Sequence, residues 1–408
     1  MGFVQARQPL PGTVRLLIAA RAVNRLGAFS LSFLTVLITT RFGASAVVAG
    51  CVSAAFGLAT IPSRLAGGRL ADRIGRRRTI VVGLAGCAVA QLGIAAADSL
   101  TTTVLFAVLM GLVFEIYEPP SQAMIADVVA PSEHVRAYGL LNAALATAGM
   151  GAGLLAAGLG RWDLRWLFVA DALTCLLCAL TVRLVLPADR PAAVSPTAEP
   201  TVITPWRDGA LVGMLAAGVL FAVVYLQIMI TLPLSLERRG LQPADAGLLF
   251  TASALTIVAG QPLLRLKRLS SLSAPLAFAG GFTLLALGLA VYAVAHTLTA
   301  HLAATVVWSM GDLLLTGRAY AVVVSLAPPG GTGRYLAVYG TSWGIAGVVA
   351  PLAGTQLLQH AGIAALWSTM ALACLSLAAI QPALARAAAF HRARPQSAEP
   401  SDAPAAKP

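Results

Sequence analysis

The sequence predicts an all-α membrane protein with twelve transmembrane helices in two pseudo-symmetric six-helix bundles. Three observations predict it. Of 408 residues, 58% are hydrophobic and only 11% charged, whereas a soluble domain is about a quarter charged. The apolar residues fall in stretches of about 20, the length that crosses a bilayer as a helix. The two halves also match at a shift of 197 positions, which lays Gly43 on Gly240, Gly50 on Gly247, Pro131 on Pro328 and Glu115 on Asp312.

The spans are expected near 15–40, 46–69, 79–97, 102–127, 137–159 and 166–187, then near 209–234, 245–264, 275–294, 301–325, 336–358 and 365–383. Helices are required because lipid offers no partner to backbone N–H and C=O groups, and the short alternating strands of a barrel are absent. The chain then divides into an N-terminal bundle 1–187, a cytoplasmic linker 188–208, a C-terminal bundle 209–383 and a disordered cytoplasmic tail 384–408. Linker and tail are rich in Pro, Ala, Ser and Thr and cannot bury a core.

In span 1, Arg21 and Arg25 interrupt the apolar stretch, so a retained helix is expected rather than a cleaved signal peptide. Arg21, Asn24 and Arg25 read as one cytoplasmic cluster. Spans 2 and 3 are joined by "GGRLADRIGRRRTI", residues 67–80, a dense run of arginine. Arg69, Arg73, Arg76, Arg77, Arg78, Arg136, Arg190, Arg207, Arg265, Lys267, Arg268 and Arg334 share one side of a twelve-span layout. Only Arg41, Arg161, Arg165, Arg238 and Arg239 take the other. Cytoplasmic loops carry the excess of Lys and Arg, so both termini are expected in the cytoplasm of a multi-pass cell-membrane protein. The net charge of +12 is thereby explained by orientation, and no nucleic acid is expected.

Span 4 carries Glu115, Glu118 and Gln122 at helical spacings of 3 and 4, on one face, with Asp127 turned away near the helix end. Pro119 and Pro120 lie beside them, so a kink is expected. Ionisable groups at bilayer depth are costly and point to function. Span 6 carries Asp171, read as interfacial. Span 7 offers Tyr225 and Gln227. Span 10 offers Trp308, Asp312 and Thr316 at spacing four, where an indole beside an acid suits a lipophilic cation; for Trp308 an ordinary packing role is slightly preferred. The five cysteines all lie in apolar stretches, and Cys175-x-x-Cys178 has no second pair. No metal or other cofactor is expected.

Gly68-Arg69-Leu70-Ala71-Asp72-Arg73-Ile74-Gly75-Arg76-Arg77-Arg78-Thr79-Ile80 resembles the signature G-x-L-x-D-R-x-G-R-[RK]-x-x-[ILV] of the major facilitator superfamily, and it stands where that family has it, between spans 2 and 3. Spans 4–5 and 10–11 further resemble the drug:proton antiporter branch. The resemblance implies a central cavity lined by spans 1, 4, 7 and 10, with Asn24, Gln122, Tyr225, Gln227, Trp308 and Thr316 as cavity residues. It implies a conformational gate of Gly68, Asp72, Arg73, Gly75, Arg76, Arg77 and Asp127. Asp72 would meet the positive end of helix 11, and Arg73 and Arg76 would reach Asp127. The branch's helix-4 arginine is absent, Ala107 standing four residues before Gly111. The expected Gly-Pro is missing beside Gly149, Gly151, Gly153 and Gly158.

The expected function is a secondary active transporter that exports small lipophilic or cationic compounds, as in multidrug efflux. Inward proton movement would drive it through Glu115, Asp312 and Glu118. The expected partners are a small-molecule substrate, protons and the lipid bilayer, and the chain is expected to be monomeric. An importer or facilitator of a small metabolite is the alternative. An intramembrane enzyme lacks any H-E-x-x-H or G-x-S-x-G motif, ATP drive lacks a P-loop, and a membrane sensor lacks a soluble signalling region.

Overall fold

The structure, a computed structural model, describes residues 11–28, 30–118, 120–121, 124, 129, 134–186, 205–266, 269, 272–315, 318–327 and 332–393. Among these, all regular structure is helical. The N-terminal half holds α1 (Gly12–Gly27), a 3-10 turn (Ser30–Phe33), α2 (Leu34–Phe42), α3 (Ala46–Ile74), α4 (Arg76–Ala96), α5 (Leu100–Phe114), α6 (His134–Trp162) and α7 (Arg165–Val185). The C-terminal half holds α8 (Gly209–Ile230), α9 (Leu232–Glu237), α10 (Asp245–Gly260), α11 (Ala274–Val294), α12 (Leu298–Leu315), α13 (Arg318–Leu326), α14 (Thr332–His360) and α15 (Gly362–Ala393). Among the described residues, nine stretches are long and apolar enough to cross a membrane. Helices α5, α6 and α14 occupy the other three expected positions.

Local chemistry sets the ends. Ser45 and Ser99 cap α3 and α5 by accepting from Val48 N and Thr102 N. Asp208 caps α8 through Ala210 N at 2.9 Å. Gly43 and Gly240, equivalent in the repeat, both turn the chain with positive φ, 63° and 75°, a conformation only glycine adopts cheaply. The offset read from the sequence is therefore present as a repeated turn.

Several boundaries differ from expectation. Helix α3 runs through the arginine-rich motif to Ile74, so Gly68–Ile74 is helical and the connection shrinks to Gly75, at φ 93°. Helix α15 continues to Ala393 rather than stopping at 383, because an alanine-rich run follows and alanine is the strongest helix former.

The halves meet along two small-residue seams, α3 against α14 and α6 against α10. A Cβ on Gly57 would lie 2.3 Å from Gly347 O, and one on Gly247 would lie 2.4 Å from Gly153 O. Helices can approach this closely only where side chains are missing. Contacts across the halves gather at the arginine-poor end. Arg161 pairs with Asp245 at 2.5 Å, Val47 N donates to Gln359, and Thr35 donates to Ile230 O. A shared apolar core of Phe33, Leu34, Ile38, Ile228 and Leu232 closes the same end. Towards the arginine-rich end each half keeps its own core, Ile80, Leu84 and Val182 in one, Leu211, Val323 and Tyr335 in the other. Large side chains such as Leu105, Leu184 and Val294 are exposed on the flanks, as expected of a surface solvated by lipid.

Candidate functional site

Two cavities sit one in each half. The N-terminal cavity, about 410 Å³, is lined by Arg21, Asn24 and Arg25 from α1, Gln91 from α4, Asp171 from α7, and by Glu115, Tyr117 and Glu118 beyond α5. The expected continuous helix over 102–127 is corrected here: α5 stops at Phe114 and Glu115–Tyr117 form turns. The cause is Pro119, which has no N–H for the Glu115 carbonyl. Glu118 N donates to that carbonyl instead, at 3.3 Å. The break places both acids at the cavity wall. Gln122 and Asp127 lie outside the described residues.

Arg21, expected in a cytoplasmic cluster, is buried and donates to Glu118 at 2.5 Å, with its guanidinium 5.1 Å from the Tyr117 ring centre. Asn24 donates to Cys175 Sγ at 3.1 Å. Asp171, read as interfacial, is instead buried and accepts from Ser30 at 2.6 Å. The interfacial reading assumed that a position near a helix end is wet. Here α1 packs onto α7 so tightly that a Cβ on Gly27 would be 2.5 Å from the Asp171 Cα. The signal in the sequence was an acid six residues into a span, roughly 9 Å along the helix at 1.5 Å per residue.

The C-terminal cavity, about 260 Å³, is aromatic. Phe221, Tyr225, Phe278, Phe282, Tyr339 and Trp343 line it together with Asp312. Tyr225 and Trp343 meet edge to face at 5.5 Å, as do Phe221 and Phe282 at 5.9 Å. Asp312 is the acid of this wall, and Gln381 adds an amide. Except for Tyr225, the sequence reading missed these aromatics. Their signal was a recurrent spacing of four, Phe221/Tyr225, Phe278/Phe282 and Tyr339/Trp343, which puts each pair on one helical face.

Two expected cavity residues do not line either cavity. Trp308 is buried and donates to Tyr292 Oη at 3.1 Å, so it serves packing between α11 and α12. Gln227 is buried and donates to Ala350 O at 2.7 Å, tying α8 to α14. A polar side chain in a span satisfies itself on a neighbouring helix wherever backbone is in reach. Asn24, Tyr225, Glu115, Glu118 and Asp312 do line cavities, and Thr316 lies outside the described residues.

Of the gate residues, Gly68 and Asp72 sit in the last turns of α3, and their surroundings lie outside the described residues. Arg73 is exposed, while Arg76 is half-buried. Arg77 donates to Leu186 O at 2.9 Å, placing a cation at the negative end of α7. That contact lies within the N-terminal half. On the opposite, arginine-poor face, in the short loop between α6 and α7, Arg165 donates to Asp163 and holds its carboxyl below the ordinary value.

Two helical bundles, tight small-residue seams and a cavity in each half match the plan of a secondary transporter. The family model described as Major Facilitator Superfamily matches residues 17–351 and again 240–407, and the chain belongs to that superfamily. It is 27% identical to the MFS-type transporter YhjO of Bacillus subtilis over 76% of this chain and 78% of that protein. It is 25% identical to the multidrug resistance protein MdtH of Aeromonas hydrophila over 77% and 80%. A crystal structure of the peptide transporter POT in complex with sulfate superimposes with a TM-score of 0.78 at 15% identity, covering 96% of this chain and 97% of that one, which bears on the fold alone.

Proposed function

We propose that the protein exports small lipophilic or cationic compounds in exchange for protons. The observation that carries the reading is Asp312 in a wall made mainly of aromatic and aliphatic side chains. Ring faces attract a cation and apolar surface attracts its hydrocarbon body. One carboxylate supplies the counter-charge and competes for a proton, so cargo and proton exclude each other. Glu115, its counterpart in the repeat, faces the N-terminal cavity and belongs there to a group of charges suited to proton traffic. Similarity to a multidrug resistance protein supports this cargo class.

The arginine-rich end is the cytoplasmic one on this reading, so the seam closed by Arg161–Asp245 is external and the state is inward-facing. The gate residues around Asp72 would lock the opposite, outward-facing state. The test is reconstitution into liposomes with a proton gradient and ethidium as the cationic probe. Proton-driven ethidium movement that Asp312→Asn abolishes is expected. Transport of ethidium at the wild-type rate and pH dependence by Asp312→Asn would remove the reading.

A further inference from the structure

The N-terminal cavity contains a buried chain of hydrogen bonds that the proposed exchange does not yet use. Ser30 Oγ lies 2.6 Å from Asp171 Oδ2 and 2.9 Å from Gln91 Oε1. A hydroxyl has a single hydrogen and can donate to only one of these oxygens. Gln91 Nε2 is buried and has no acceptor in good geometry among the described residues. Two arrangements satisfy the geometry. With Asp171 ionised, Ser30 donates to it, and the Gln91 amide turns half a revolution to donate to Ser30. With Asp171 protonated, the carboxyl donates to Ser30 and Ser30 donates to Gln91 Oε1. The two forms differ by one proton, one hydroxyl rotation and one amide turn, with no movement of backbone.

The surroundings bias neither form outright. On α7, Cys175 Sγ lies 3.8 Å from Asp171 Oδ1 as a weak donor. From α1, Arg25 faces the same cavity, and Arg21 is engaged with Glu118. From α4, Cys87 and Gln91 line it, and Glu115, Tyr117 and Glu118 face Asp171 across it. The cavity connects the carboxyl to whatever water enters.

We propose that Asp171 takes up and releases the transported proton in the N-terminal half, with Ser30 and Gln91 as positioning residues that accommodate both forms. The step balances as carboxylate plus a proton from cavity water giving the carboxylic acid, reversed on release. The assignment rests on the proton-exchange reading above and adds to it a carboxyl whose partners can switch without rearranging helices. Glu118, by contrast, is held by Arg21.

The experiment has two arms on the full-length protein in liposomes. The first, without cargo, is a pH-difference infrared spectrum. A protonated-carboxyl band is expected that Asp171→Asn removes, that Ser30→Ala shifts in frequency and that Glu115→Gln leaves in place. The second is proton-driven ethidium transport. Asp171→Asn is expected to lower it about tenfold and to flatten its pH profile, the mark of a lost coupling step. A band unchanged in Asp171→Asn and unmoved in Ser30→Ala would overturn the proposal. So would loss of the band with a wild-type pH profile of transport. If wild-type protein moves no ethidium, the export reading fails, while the infrared arm still reports on Asp171. Ser30→Ala keeps the carboxyl, so the test survives poor folding of Asp171→Asn.

Discussion

The two halves share one helical plan and one turn geometry, yet their cavities are chemically opposite. The N-terminal cavity holds Arg21, Arg25, Glu115, Glu118 and Asp171. The C-terminal cavity holds one acid among its described lining residues, Asp312, with seven aromatic side chains. Equivalent positions 115 and 312 therefore carry the same charge into different electrical settings. An acid among rings suits a greasy cation, because the rings and the carboxylate both attract positive charge. A crowded set of charges suits proton traffic and is costly to disturb, because each group's burial relies on its neighbours.

Breaking the crowded side should have the largest effect on stability. Arg21→Met removes the buried guanidinium that Glu118 accepts from and should cost about 3 kcal/mol, measured by denaturation in detergent. Adding Glu118→Leu should recover much of that, and the double-mutant cycle reads the coupling directly. Equal losses in the single and double variants would mean that Arg21 acts through packing.

On the aromatic side, Asp312→Asn should weaken ethidium binding by about 2 kcal/mol, roughly thirtyfold in Kd. Glu115→Gln should weaken it much less, since other charges remain in that cavity. If the two variants lose equal affinity, the division of labour between the halves is wrong.

The comparison also needs the halves to rock as bodies. Gly57→Ala forces a methyl against Gly347 O and should disfavour the closed seam by about 1–3 kcal/mol, the usual cost of overpacking. Spin-label distances between the ends of α3 and α14 would then lengthen. Unchanged distances with normal transport would show that the seam yields by local adjustment.

The smallest effect concerns acid sensitivity outside the membrane. Asp163 is lowered from its ordinary 3.8 by the hydrogen bond from Arg165. Its folded form therefore binds a proton less readily than the unfolded chain. The pair contributes stability above about pH 4, which is lost as the pH falls through the lower folded value. Both groups are well exposed, so Asp163→Asn should leave the thermal midpoint near neutral pH almost unchanged. A larger change would assign this loop a structural role.

Much of the molecule was legible in the order of residues. Long apolar runs demanded helices, because lipid leaves backbone groups no other partner. The match of Gly43 to Gly240, read only as repeat register, reappears as two glycine turns of positive φ. Glu115 and Asp312 were visible as acids in apolar runs, since few other reasons exist for a charge at that depth. The errors share one origin: sequence shows that a polar group is present in a span but not what it touches. Gln227 looked available and is satisfied by Ala350. Asp171 looked interfacial and is buried against α1.

Periodicity and hydropathy alone thus determined the helices, their repeat and the acids within them, because these depend on solvent and on neighbours along the chain. Only the tertiary structure decided that Arg21 holds Glu118, that Ser30 and Gln91 attend Asp171, and that Asp312 stands among rings. Each of those contacts joins residues far apart in sequence, and each depends on how closely one helix can approach another.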